Sequence, residues 1–194
     1  MTRYDRGTAL LVVDMQNDFA DPAGSLSVRG GMDVLTVANA EIADAIGAGA
    51  TVAYSQDWHP EHTPHFASDG GIWPVHCVAG TWGAQFVPGL DVRGEVIRKG
   101  TGGEDGYSAF TMRDPRTGAE RATPLGDLLS AQGIERVVVV GLATDYCVKA
   151  TALDALSLGY ETVVLREGVR PVDLQPGDGE AALAEIAAAG GDIV

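Results

Sequence analysis

Basic residues are scarce in this chain: 13 Lys plus Arg stand against 27 Asp plus Glu, a formal net charge of -14 over 194 residues. A protein that binds a polyanion needs a basic face to displace phosphate counterions, so the shortage argues against a nucleic-acid partner and against docking on an anionic membrane surface. Cysteine is scarcer still, with only Cys77 and Cys147. Two thiols are too few for the disulfide framework of a small secreted scaffold, and a reduced cytoplasmic setting is expected. Long hydrophobic runs are missing too. The longest, around Val137 to Ala143, falls far short of the roughly 20 apolar residues that span a bilayer. The N-terminal run stops at Asp14, too early for a signal-peptide core. The Gly100-Thr101-Gly102-Gly103 run lacks phosphate-loop spacing, because its lysine precedes the glycines, and no GxGxxG follows the first apolar run. These absences leave a small neutral or cationic ligand as the expected partner.

What is present reads as an ordinary globular chain, with 45% hydrophobic and 21% charged residues. The length fits one domain over residues 1–194. Short, β-branched apolar runs at Ala9 to Val13, Thr51 to Tyr54, Glu95 to Ile97, Val137 to Val140 and Thr162 to Leu165 predict strands buried on both faces. Between them, helical spacing at Leu35, Ala38, Ile42, Ala45 and Ile46 predicts a helix stopped by Gly47 and Gly49. A second helix starts at Thr123-Pro124, a third runs from Asp145 to Leu158, and a fourth spans Gly179 to Ala189 before a short strand at Asp192 to Val194. Alternating strands and helices imply an α/β fold with a mostly parallel central sheet covered on both sides. The stretch from Gln56 to Arg93 breaks this rhythm; it holds all four histidines and all three tryptophans, and a long irregular segment in a compact domain is usually functional.

Open α/β sheets bind ligands outside the carboxyl ends of their strands. The first run ends in Asp14, the second leads to Asp57 and His59, the third ends in Lys99, and the fourth leads through Gly141-Leu142-Ala143-Thr144-Asp145 to Cys147. Four strands thus deliver carboxylate, imidazole, ammonium and thiol to one edge. Cys147 is placed in the first turn of the third helix, where free backbone N–H groups and the helix dipole would stabilise a thiolate. A buried structural thiol is the plainer alternative for Cys147 and the preferred one for Cys77. Asp57, His59 and His76 form an oxygen-and-nitrogen donor set suited to zinc, iron(II) or manganese(II). His62 and His65 divide evenly between ligand and surface roles. Of the aromatics, Phe19 and Trp73 adjoin the proposed site in sequence and are favoured as ligand contacts over Phe66 and Trp82.

The segments VVDMQNDF (Val12 to Phe19), SQDWHPEHTPHF (Ser55 to Phe66), WPVHCVAGTWGAQF (Trp73 to Phe86), IRKG around Lys99 and VVGLATDYCV (Val139 to Val148) resemble the nicotinamidase/pyrazinamidase branch of the isochorismatase-like cysteine hydrolases. The resemblance implies a three-layer α/β/α fold and hydrolysis of nicotinamide, and of pyrazinamide, to the carboxylate and ammonia through a Cys147 thioester. It implies a triad of Asp14, Lys99 and Cys147, a cis peptide at Leu142–Ala143, and an oxyanion hole from the N–H groups of Ala143 and Cys147. One divalent metal ion (zinc, iron or manganese) would be held by Asp57, His59 and His76, with His65 resembling a further ligand of some members, and Phe19, Trp73 and Tyr107 would contact substrate. The residues between Lys99 and Phe110, rich in Gly and acids, match the family's aromatic lining only loosely. Alternatives are a carbamoyl or ureido amidase of the same superfamily, a vinyl-ether hydrolase of isochorismatase type, and a non-catalytic metal or ligand carrier. Homo-oligomerisation stays open.

Overall fold

A computed structural model describes residues 3–194. Eight strands form in chain order: β1 (Thr8–Val13), β2 (Thr51–Asp57), β3 (Glu95–Lys99), β4 (Thr111–Arg113), β5 (Glu120–Ala122), β6 (Arg136–Leu142), β7 (Glu161–Arg170) and β8 (Asp192–Ile193). Five α-helices accompany them: α1 (Asn17–Ala20), α2 (Asp33–Gly47), α3 (Leu125–Ala131), α4 (Lys149–Ser157) and α5 (Asp178–Ala188). Six strands make a parallel sheet in the order β3-β2-β1-β6-β7-β8, while β4 and β5 pair as a separate antiparallel hairpin.

The continuous apolar runs of β1 and β6 are explained by their central position. Every residue of β1 is buried, and alternate side chains serve opposite layers. Leu10, Val12, Val138 and Val140 pack with Val34, Ala38 and Ile42 of α2, whereas Ala9, Leu11, Val13, Val137 and Val139 pack with Leu125 and Leu129 of α3, Ala152 of α4 and Ile186 of α5. The result is the expected three-layer α/β/α arrangement. Burying one such Val, Leu or Ile side chain contributes about 1.5–3 kcal/mol. From β1 the chain moves to one side through β2 and β3, then crosses to place β6 on the other side of β1. The carboxyl ends of β1 and β6 therefore flank the switch point, where a crevice is expected.

Several elements differ from the sequence reading. β3, expected to be buried on both faces, is an edge strand with Glu95, Val96 and Arg98 exposed. β7 is longer than its apolar core because its pairing with β6 shifts register between Val139 and Gly141, which leaves exposed Arg166 and Glu167 within the strand. The β4–β5 hairpin was not expected, since Glu120, Arg121 and Ala122 are all exposed and carry no apolar alternation. Among the described residues no helix is long and apolar enough to cross a membrane.

Candidate active site and metal centre

Parallel register brings the polar strand ends together. Val13 of β1 lies opposite Ser55 of β2, and Asp57 of β2 lies opposite Lys99 of β3. One residue past β1 the backbone of Asp14 turns into the left-handed region, with φ of 48°, a conformation Asp tolerates better than most residues. Its carboxylate, wholly buried, accepts hydrogen bonds from Ser55 Oγ at 2.7 Å and Lys99 Nζ at 2.6 Å. Lys99 Nζ also donates to Asp57 Oδ1 at 2.7 Å and to the carbonyl of Gly106, and it lies 3.6 Å from Cys147 Sγ. One ammonium thus holds two carboxylates and faces the thiol.

These contacts set the charge states. Burial alone would favour a neutral Lys99, yet Asp14 and Asp57 outweigh it and hold the ammonium well above its usual pKa. Burial also drives Asp14 upward, aided by the Asp57 charge and opposed by Lys99, to about 6. For Asp57 burial again acts upward, but Lys99 and the neighbouring His59 and His76 reverse it, and its carboxyl sits below the usual range. At neutral pH both acids are ionised.

Cys147 follows β6 after a cis peptide between Leu142 and Ala143. The expected helix does not open as an ordinary α-turn: Thr144–Val148 winds as a π-turn, with Val148 N–H donating to Ala143 O at 3.0 Å, before α4 begins. Burial pushes the Cys147 thiol well above its usual pKa, with Asp14 and Asp57 adding to the rise and Lys99 opposing it. Burial thus acts against the thiolate expected at the helix terminus. In the resting site the thiol keeps its proton, and an ionised Asp14 oxygen lies within 4.8 Å of Sγ. Among the described residues no hydrogen bond takes up the backbone N–H of Ala143, the residue that precedes the turn.

Beside this group His59, His65 and His76 converge, all buried, with ligand atoms within 4.8 Å of one another. Asp57 Oδ2 lies 3.6 Å from His59 Nε2 and 3.8 Å from His76 Nε2. Burial lowers the pKa of His65, and that of His76 to about 4, so both rings are neutral near pH 7. His76 Nδ1 donates to Pro74 O at 2.7 Å, and His65 Nδ1 meets Asp105 Oδ1 at 2.5 Å. Both partners accept only, so each ring keeps Nε2 as a free donor of electrons. Both nitrogens of His59 are buried without a hydrogen-bond partner. An orphaned imidazole costs free energy unless something coordinates it, and three clustered histidines with one carboxylate suit a divalent transition metal. His62 stands apart, largely exposed beside Asp69.

A cleft of about 440 Å³ joins the two groups; Phe19, Trp73, Tyr107, Tyr146 and Ala143 line it together with Cys147, Asp57, His65 and His76. Trp73 Nε1 donates to Tyr107 Oη at 2.7 Å, and the Trp73 and Tyr146 rings meet edge to face with centroids 4.8 Å apart. Phe66 is fully buried against His59, and Trp82 is half exposed, outside the cleft. Cys77 is a free buried thiol.

Sequence reasoning missed several supporting residues. Gln16, fully buried, accepts from Asp57 N–H at 2.7 Å and donates to Asp57 O at 2.8 Å. Its proximity to Asp14 was the available signal. Ser55 could have been found from its position two residues before Asp57 on the same face of β2. Asp105 and Tyr146 carry no local pattern that separates them from loop and surface residues.

Residues 8–194 match the Isochorismatase domain family. The chain is 41% identical to the nicotinamidase of Escherichia coli over 203 aligned positions, covering 95% of this chain and 93% of that protein. The pyrazinamidase of Pyrococcus horikoshii in complex with zinc superposes with a TM-score of 0.87 at 40% identity, over 97% of this chain and 98% of that one. The yeast nicotinamidase bound to the inhibitor nicotinaldehyde superposes with a TM-score of 0.87 at 30% identity, over 96% of this chain and 99% of that one.

Proposed function

The chain belongs to the isochorismatase family, and from that premise we propose that it is a metal-dependent nicotinamidase that also accepts pyrazinamide, acting as a single domain through a covalent thioester on Cys147. The observation that carries the reading is the adjacency, across one cleft, of the Asp14–Lys99–Cys147 group and the Asp57–His59–His65–His76 group.

In this reading the carboxamide carbon sits at Cys147 Sγ and the ring lies between Phe19 and Trp73, with Tyr107 held against the wall by Trp73. A divalent ion on Asp57, His59, His65 and His76 would supply a Lewis-acid anchor for the ring nitrogen. Because the resting thiol is protonated, Asp14 removes its proton as sulfur attacks, and Lys99 balances the charge that forms. The carbonyl oxygen becomes an oxyanion and takes the N–H groups of Ala143 and Cys147; one such donor is worth about 3 kcal/mol. Asp14 then returns the proton to nitrogen as the C–N bond breaks and ammonia leaves. A water, deprotonated by Asp14, attacks the thioester, releasing the carboxylate product and restoring the thiol.

The test is ammonia release from nicotinamide and pyrazinamide by protein stripped of metal and reloaded with zinc, iron(II) or manganese(II). Release that is lost on stripping and restored by one of these ions is expected. Absence of release with every ion, or release from carbamoyl or ureido compounds alone, would overturn the reading in favour of another amidase or of a ligand carrier.

A further inference from the structure

The Gly- and acid-rich segment from Gly102 to Tyr107 ends in three consecutive residues that each hold a different part of the site. Gly106 gives its carbonyl to Lys99, Tyr107 accepts from Trp73 Nε1, and Asp105 meets His65 Nδ1 at 2.5 Å. Asp105 is itself anchored: its N–H donates to Arg113 O at 2.7 Å and its carbonyl accepts from Arg113 N–H at 2.9 Å, tying it to β4. We propose that Asp105 is a positioning residue that fixes His65 as a metal ligand, and so sets how tightly the site holds a divalent cation. The inference rests on the histidine cluster being the metal centre, as read above.

An ionised carboxylate accepts hydrogen bonds and donates none. Facing Asp105, His65 must carry its proton on Nδ1, which leaves the Nε2 lone pair free, and the short contact fixes the ring plane as well. Of the three clustered histidines, His76 is oriented by a backbone carbonyl and His59 by no hydrogen bond, so among the described residues Asp105 is the side chain that locks a ligand tautomer. Carboxylate partners of this kind raise the basicity of a ligating imidazole, and their loss typically weakens metal binding about 10- to 100-fold. A purely structural His–Asp pair predicts another outcome: its loss would lower thermal stability and leave metal affinity alone.

The test uses the full chain, stripped of metal, with zinc affinity measured by competition against a chromophoric chelator and the coordination followed in the cobalt(II) absorption spectrum. Asp105→Asn keeps the shape but lets an amide donate, which releases the tautomer lock. Zinc affinity is expected to fall about 10- to 100-fold in Asp105→Asn, with an altered cobalt spectrum and unchanged melting of the metal-free protein. His65→Ala should lose a similar factor, and the double variant should bind no more weakly than His65→Ala alone, because Asp105 acts through His65. Wild-type affinity in Asp105→Asn, or losses that multiply in the double variant, would overturn the inference while leaving the metal centre standing. A wild-type protein that takes up none of zinc, iron(II) and manganese(II) would sink both readings together.

Discussion

Lys99 is wholly buried and its ammonium meets two carboxylates and a carbonyl. Removing it leaves Asp14 and Asp57 as like charges in a dry site. Breaking a buried ion pair from one side typically costs about 3–5 kcal/mol, so Lys99→Met should lower the melting temperature visibly in calorimetry as well as abolish turnover. Asp14 must be ionised to take the thiol proton. With its carboxyl held near 6, kcat/KM should fall as pH drops through about 6, because protonation removes the base. Ser55 stabilises the charged form of Asp14 by donating to it. In Ser55→Ala the acid limb of the pH–rate profile should therefore move to higher pH; an unmoved or lowered limb would reject Asp14 as the base.

At the scale of elements, the site depends on loops that only a few residues allow to close. Gly100 follows β3 with φ of 73°, and a Cβ there would lie 2.5 Å from ring atoms of His59. Gly100→Ala should displace that ring and weaken zinc binding in a chelator titration; unchanged affinity would show that His59 is not a ligand. Strand ends were the legible part of this protein. Each strand of the site announces itself by a short apolar run, and polar residues at or shortly past its carboxyl end fall at the binding edge, which is how Asp14, Asp57, Lys99 and Cys147 could be named beforehand. The histidines were legible through their crowding between His59 and His76, though crowding alone could not separate exposed His62 from buried His65. What escaped reading depends on pairs distant in sequence: Gln16 clamps Asp57 41 residues away, and Asp105 meets His65 40 residues away. The π-turn at Cys147 escaped for another reason. A widened turn and an α-turn share their residue preferences, and burial, which reverses the expected ease of thiol ionisation, is a property of the folded packing.

For the whole molecule, the charge of -14 belongs mostly to the surface. Asp14 and Asp57 lie within the site, where Lys99 balances them. An uncharged amide feels no long-range steering, so kcat/KM for nicotinamide should change little between low and high ionic strength, where a cationic substrate would lose rate as salt screens the field. Stopped-flow or steady-state assays across salt concentrations measure this. The central claim, that Cys147 becomes acylated during turnover, is tested most directly by mixing the metal-loaded protein with excess nicotinamide, quenching in acid within one turnover, and weighing the intact protein. A nicotinoyl group on Cys147, absent from Cys147→Ala, is the predicted result. Ammonia release at the wild-type rate from Cys147→Ala would contradict it.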